Sequence, residues 1–301
     1  MLENKITSVY IEEISQWGKV WNKHKANSDK VAELYKNSEE HQQYANRINL
    51  CSQFLNFKLI PNEGEFNLKL DAARFCRVRY CPVCQWRRSL QWKAKAHKIL
   101  PWIVEKYPTH RWLFLTLTAQ NCKIEELRST LQQLNRAWQR MSQRKIFPGV
   151  GWLRSTEVTR SKDGSAHPHF HCLLMVKPSY FGKYYIRQSK WVELWKSCLR
   201  VDYEPVIDLR AIKQDEQPIV LLPEILKYCV KESDLVSDRK WFLELTQQMH
   251  SLRTISTGGI IKESLAHLEN SEVNNRKPDD THHLCFDWRY KDTKYRLLEQ
   301  S

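Results

Sequence analysis

Ten residues, HPHFHCLLMV from His167 to Val176, constrain this chain more than any other stretch. On a β-strand, successive side chains point to opposite faces. His167, His169, His171, Leu173 and Met175 then share one face. Pro168, Phe170, Cys172, Leu174 and Val176 share the other and point into a core. Two in-phase histidines lie about 7 Å apart in backbone spacing, close enough to grip one metal ion. A single histidine near a core usually only hydrogen-bonds, but three in phase form a metal-site pattern.

A further ligand should come from a neighbouring strand. Glu157, in RSTEVTR, is the candidate one hairpin away. With an odd-length loop centred on Asp163 or Gly164, Glu157 lies opposite His169 or His171 on the same face. A two-residue Asp-Gly turn puts it out of phase. The sequence leaves both registers open, and with them the choice between Glu157 and His167 as third ligand. Two histidines and a carboxylate can also hold iron in an oxygenase, but no other feature points to that chemistry.

The segments around this strand set the fold class. RWLFLTLT at Arg111–Thr118 reads as a strand. Leu127, Leu131, Leu134 and Trp138 follow at helical spacing, which predicts a helix over 124–144. Strands are expected at 151–160, 168–176 and 206–212, with helices at 189–199 and 223–232. The order β-α-β-β-α-β is that of an α+β, ferredoxin-like split βαβ unit, an antiparallel sheet with helices on one face. Four segments result: a helical N-terminal segment at 1–50, read as surface helices, a cysteine-rich basic element at 51–105, a catalytic domain at 106–265, and a C-terminal tail at 266–301.

LLPEILKYCVKESD is a second candidate site. At helical spacing, Ile225, Leu226, Cys229 and Val230 form an apolar stripe. Glu224, Lys227, Tyr228 and Lys231 fall on the opposite face. A phenol has a pKa of about 10 and is a poor nucleophile unless assisted. Lys231 and a divalent metal would both favour phenolate. Glu224, one turn from Tyr228, could activate a water or a 3′-hydroxyl in a second step. Alone, such a tyrosine would read as solvated surface; the histidine strand changes that reading.

Cys76, Cys81 and Cys84, in FCRVRYCPVCQWRR, have metal-knuckle spacing. Cys51 lies upstream across a predicted short hairpin and completes a four-thiolate set suited to structural zinc. The other five cysteines mostly sit beside apolar residues and read as core thiols. The flank is heavily basic, and Arg77, Arg79, Arg87 and Arg88 are candidates, with Lys227, for contacts to DNA. The whole chain carries a formal charge of +14 and a pI of about 9.3, the balance of a polyanion binder. No export signal and no apolar run of about 18 residues is seen. A cytoplasmic, bacterial protein with reduced thiols and no membrane partner is expected.

FLTLT at 114–118, HPHFH at 167–171 and EILKYCVK at 224–231 together resemble the three ordered motifs of the rolling-circle plasmid replication initiators, within the HUH endonuclease superfamily. The cysteine stretch resembles an element of one bacterial plasmid subgroup that has a single catalytic tyrosine. The resemblance covers roughly 51–264. It implies that His169 and His171, with Glu157 the less certain match, hold Mg²⁺ or Mn²⁺. It implies that Tyr228 cuts one strand of origin DNA and keeps the 5′-phosphate, and that Glu224 serves termination. With no G-x-x-x-x-G-K-[ST] loop in the chain, host helicase and DNA polymerase would be partners. The rival readings are an HUH transposase or relaxase, and a zinc-dependent DNA-binding repressor without catalysis.

Overall fold

The computed structural model describes residues 9–62, 65–213, 216–226, 230, 232–271 and 282–298. In chain order the elements are α1 Ile11–Ile14, α2 Gly18–Tyr35, α3 Gln42–Asn49, β1 Phe54–Asn62, β2 Glu65–Ala73, α4 Pro82–Lys106, β3 Arg111–Thr118, a 3-10 turn Ile124–Glu126 leading into α5 Leu127–Ser142, β4 Gly149–Arg160 and β5 Ala166–Val176. They continue with α6 Gln188–Leu199, β6 Ile207–Ala211, α7 Leu222–Ile225, α8 Glu232–Ser237, α9 Arg239–Gln248, β7 Ile255–Gly258, α10 Gly259–Ser271, β8 His283–Arg289 and β9 Lys294–Leu297. The fold is α+β with antiparallel sheets. The chain divides into two units, Met1–Arg88 with Arg276–Ser301, and Ser89–Asn275.

The second unit holds a five-stranded sheet in the order β6-β3-β5-β4-β7. Its first four strands follow the predicted β-α-β-β-α-β order, with β3 and β5 in the middle. The register is set by a five-residue loop, 161–165, between the paired residues Arg160 and Ala166. Ser161 N–H donates to the Ser165 carbonyl at 2.9 Å, and the Asp163 carboxylate accepts from Ser165 N–H at 3.0 Å. Gly164 takes φ +85°, a conformation that glycine adopts without strain. The loop is odd in length and centred on Asp163, so Glu157 pairs directly with His169.

Both faces of this sheet are covered, which departs from the expectation of helices on one face. Helices α5 and α6 lie on the face of Phe170 and Cys172; the Phe170 and Trp195 rings are 6.5 Å apart there. On the histidine face, Trp112, Phe114, Leu153, Leu173 and Met175 share one core with residues of α4, α7 and α10. The reason is the apolar half of the alternation: beyond the histidines this face carries large apolar side chains that need cover.

The first unit differs more from the expectation. The 1–50 segment is not a set of surface helices: α2 buries Trp21, Lys25, Ser28, Val31 and Tyr35. Residues 283–297 supply β8 and β9 to a sheet ordered β2-β1-β8-β9, so the C-terminal segment is structural. The predicted hairpin after Cys51 is present as β1 and β2. The division between the two compact units falls inside α4, after Arg88. Strands β8 and β9 are short, and β8 pairs with β1, a segment over 200 residues earlier, which local pattern cannot reveal.

Strand β7 and helix α10 dock on β4 through two glycines. A Cβ on Gly258 would meet the Trp152 ring at 2.0 Å. Gly259 has φ +54°, and a Cβ there would meet the Val150 carbonyl oxygen at 2.1 Å. Gly259→Ala is therefore expected to destabilise the protein by about 2 kcal/mol or more, combining left-handed strain with a backbone clash. Thermal unfolding followed by circular dichroism measures this.

Candidate metal centres

Strands β4 and β5 bring Glu157, His169 and His171 together. The Glu157 Oε2 lies 3.2 Å from His169 Nε2 and 2.9 Å from His171 Nε2. All three residues are buried, at 3%, 8% and 6% exposure. The outer nitrogens of both rings are engaged. His171 Nδ1 sits 3.2 Å from the Thr116 hydroxyl, and His169 Nδ1 sits 3.2 Å from the His167 carbonyl. The carbonyl can only accept, so His169 Nδ1 donates to it and Nε2 is the ring atom turned to Glu157. Two imidazole nitrogens and a carboxylate oxygen converging on one point fit a divalent cation. Phe114 stacks on His171 at 5.6 Å and walls one side.

His167 is not part of the cluster. Its Nδ1 pairs with Asn121 Oδ1 at 2.7 Å, and its pKa is lowered by burial first and by neighbouring His169 second. Thr116, beside the His171 ring, and Asn121, beside that of His167, had no role in the sequence reading. The signal for Thr116 is the β3–β5 register, in which it pairs with His171.

Helix α7 carries Glu224, half-buried, and packs on the histidine face through Leu222 and Ile225. Its end is held by Ser89, whose hydroxyl donates to the Leu226 carbonyl at 2.6 Å. Ile225, Leu226 and Val230 are buried, as the apolar stripe requires. Lys227, Tyr228, Cys229 and Lys231 lie outside the described residues. Beyond them, Arg160 at the end of β4 donates its backbone N–H to Asp234 at 3.1 Å and pairs its guanidinium with Asp238 at 3.1 Å.

A second cluster stands in the first unit. Cys51, Cys76, Cys81 and Cys84 are all buried, with Sγ–Sγ distances of 3.6 Å for Cys51–Cys84, Cys76–Cys84 and Cys51–Cys81. Four thiolates at about 2.3 Å around one ion need about 3.8 Å between sulfurs, so the set fits a tetrahedral ion. Backbone N–H groups of Cys76, Arg77 and Val78 point at the sulfurs of Cys51, Cys84 and Cys76 at 3.3–3.4 Å. To aim its N–H at Cys84, Arg77 takes φ +58°. The Cys84 thiol is held below its ordinary pKa by hydrogen bonding from Cys51 first. Ser28 of α2 lies 3.5 Å from Cys81 Sγ and accepts from Val83 N–H, a contribution of the N-terminal segment that the sequence reading missed.

The basic candidates are in different settings. Arg77 is exposed, and Arg79 and Arg88 are half-buried. Arg87 is packed with its guanidinium 4.4 Å from the Phe75 ring and 6.0 Å from that of Trp21, and burial lowers its pKa. Of the other cysteines, Cys172 and Cys198 are buried, while Cys122 and Cys285 are half-buried. Among the described residues no helix is long and apolar enough to cross a membrane.

Comparison with known proteins adds a family. A profile described as "Replication protein" matches residues 67–296. A "Protein rep" of Bacillus amyloliquefaciens is 35% identical over 276 residues, 81% of this chain and 80% of that protein. A "Protein rep" of Streptococcus pneumoniae serotype 2 is 34% identical over 263 residues, 85% of this chain and 81% of that protein. One from Lactiplantibacillus plantarum is 36% identical over 247 residues, 77% of each chain. No solved structure matches.

Glu157→Gln removes the one negative charge of the buried cluster but keeps its shape. Manganese affinity, followed by electron paramagnetic resonance, is expected to fall by about tenfold or more. The Cys₄ cluster should keep its metal content in the same variant.

Proposed function

We propose, for a chain that belongs to the replication protein family of plasmid initiators, that it starts rolling-circle replication by cutting one strand of origin DNA through Tyr228 and rejoins the strand at termination. The observation that carries this reading is the buried meeting of Glu157, His169 and His171 on one sheet face, with the Glu224 helix packed on that same face. The strand order β6-β3-β5-β4 supports a ferredoxin-like sheet of the HUH endonuclease type. The two ends of the segment around Tyr228 support it too. Ser89 ties Leu226 on one side, and Arg160, at the end of β4, ties Asp234 on the other.

In this reading the Tyr228 oxygen attacks a phosphorus of the origin strand. A phosphotyrosine ester to the 5′ side forms, and the 3′-hydroxyl leaves as the primer for leading-strand synthesis. Lys231 favours the phenolate form. Glu157, His169 and His171 hold a Mg²⁺ or Mn²⁺ ion, which when bound supplies positive charge for the scissile phosphate. Glu224 accepts a proton from a water or a 3′-hydroxyl in the terminating step. The four cysteines hold a structural zinc ion. Arg77, Arg79, Arg88 and Lys227 neutralise phosphates; Arg87, wedged between rings, contributes mainly packing. Plasmid origin DNA, a host helicase and a host DNA polymerase are the partners, in a bacterial cytoplasm.

Two variants test the chemistry. Tyr228→Phe removes the nucleophilic oxygen and keeps the ring. It should lose all covalent adduct with a labelled origin oligonucleotide on denaturing gels, while binding is retained. A full-strength adduct in the variant would assign the cut to another residue. Origin binding with no cutting by the wild type would favour a zinc-dependent repressor instead. Glu224→Gln should cut near normally but release products about 10²–10⁴ times more slowly, as loss of a general base predicts. Multimeric single strands would accumulate. If Glu224 only pairs with a lysine, termination will match wild type.

A further inference from the structure

The end of the sheet remote from Glu157 carries a cleft that the cutting chemistry does not use. It has a volume of about 630 Å³ and lies between the turn before β4 and the loop after β5. That is within the roughly 300–1,000 Å³ of ligand-sized pockets. Lys145, Phe147, Lys177, Tyr180, Tyr184 and Tyr185 line it. From His171 to Lys177 is about 20 Å along β5, at about 3.3 Å per residue, so the cleft is separate from the histidine cluster.

Three features point to one occupant. First, Tyr184 and Tyr185 are 60% and 59% exposed, which is unusual for two adjacent large rings. Second, they are held in place rather than loose. Tyr184 N–H donates to the Ser179 carbonyl at 3.1 Å, and Tyr185 N–H to Gly182 at 3.2 Å. The Tyr185 ring rests 5.9 Å from that of Tyr180, which is buried and accepts from Trp191 Nε1 at 3.2 Å. Third, the charged residues of the lining, Lys145 and Lys177, are both basic, and so are the charged residues of the flanking segments. Residues 143–150 and 177–188 contain Arg144, Lys145, Lys177, Lys183 and Arg187 and no Asp or Glu.

We propose that this cleft binds single-stranded DNA, stacking unpaired bases on Tyr184 and Tyr185 and neutralising phosphates with Lys145 and Lys177. Exposed, pre-positioned rings in a cationic groove suit unpaired bases, which have a free π-face. In a duplex those faces are already stacked, so duplex DNA is a poorer match. An acidic protein segment would use the lysines but leave two exposed rings unexplained. The proposal rests on the reading of this chain as a DNA-processing protein. It adds a second contact for the single strand that cutting exposes.

The test is fluorescence anisotropy of the full chain with a labelled 20-nucleotide thymidine oligomer and with a 20-base-pair duplex. Tyr184→Ala with Tyr185→Ala should weaken oligomer binding by about tenfold or more, since each lost stack is worth roughly a 5- to 150-fold change. Tyr184→Phe with Tyr185→Phe should restore it. Lys145→Gln with Lys177→Gln should reduce the steepness of the log affinity–log salt plot by about 1.4, two phosphates at about 0.7 each. Unchanged oligomer binding in the alanine pair overturns the proposal, and so does an equal loss on the duplex. Unimpaired unfolding temperatures would exclude a folding defect, given how exposed the two rings are. The thymidine oligomer carries no origin and forms no adduct. A failure of the cutting reading therefore appears as missing wild-type adduct, separately from this result.

Discussion

The register between β4 and β5 is the constraint on which the candidate site depends. Side chains alternate along a strand, so a slip of one residue would turn Glu157 away from the histidines and bury it in the core of α5 and α6. The five-residue loop at 161–165 prevents that slip. Asp163 accepts from both Ser165 N–H and its hydroxyl, and Gly164 supplies the left-handed turn. A second register, between β3 and β5, pairs Thr116 with His171, whose ring Phe114 stacks against. One short loop therefore decides that Glu157 faces the two histidines.

That sheet is held by two apolar layers, and each includes a polar group under control. On the α5–α6 side Arg154 is buried at 6% exposure, with its guanidinium 4.0 Å from the Phe170 ring and bonded to Asn135 at 2.7 Å. Burial lowers its pKa to about 10, so the charge survives at neutral pH. On the histidine side the polar groups are gathered at one end of the strands and the large apolar residues at the other.

The first unit solves a different problem. Its sheet is small, and the four-cysteine cluster is built where α2, the β1–β2 hairpin and the start of α4 meet. A partly buried ion pair joins the layers: Lys25 bonds Asp29 at 3.0 Å and the Asn49 carbonyl at 3.2 Å, while Asp29 accepts from Trp288 Nε1 at 2.8 Å. Burial raises the pKa of Asp29, with Lys25 opposing. Such a pair specifies an arrangement more than it stabilises one, because desolvation offsets much of the attraction. It ties the N-terminal helix to a strand near the C-terminus, a link with no local sequence signature.

Periodicity alone determined a good deal here. The alternation in HPHFHCLLMV and RWLFLTLT gave strands whose limits agree closely with β5 and β3, and Leu127, Leu131, Leu134 and Trp138 marked α5. The close spacing of Cys76, Cys81 and Cys84 marked a thiol cluster, because those residues reach one point through local backbone geometry. Tertiary structure decided the rest. It brought Glu157, and not His167, against His169 and His171, because that placement depends on the parity of a loop whose turn type two sequence patterns could satisfy. It covered the histidine face with α4, α7 and α10, and it drew β8 and β9 into the sheet of β1, because pairing partners over 200 residues apart leave no periodic trace in either segment. Local pattern records which way a side chain points; only the folded chain records what it points at.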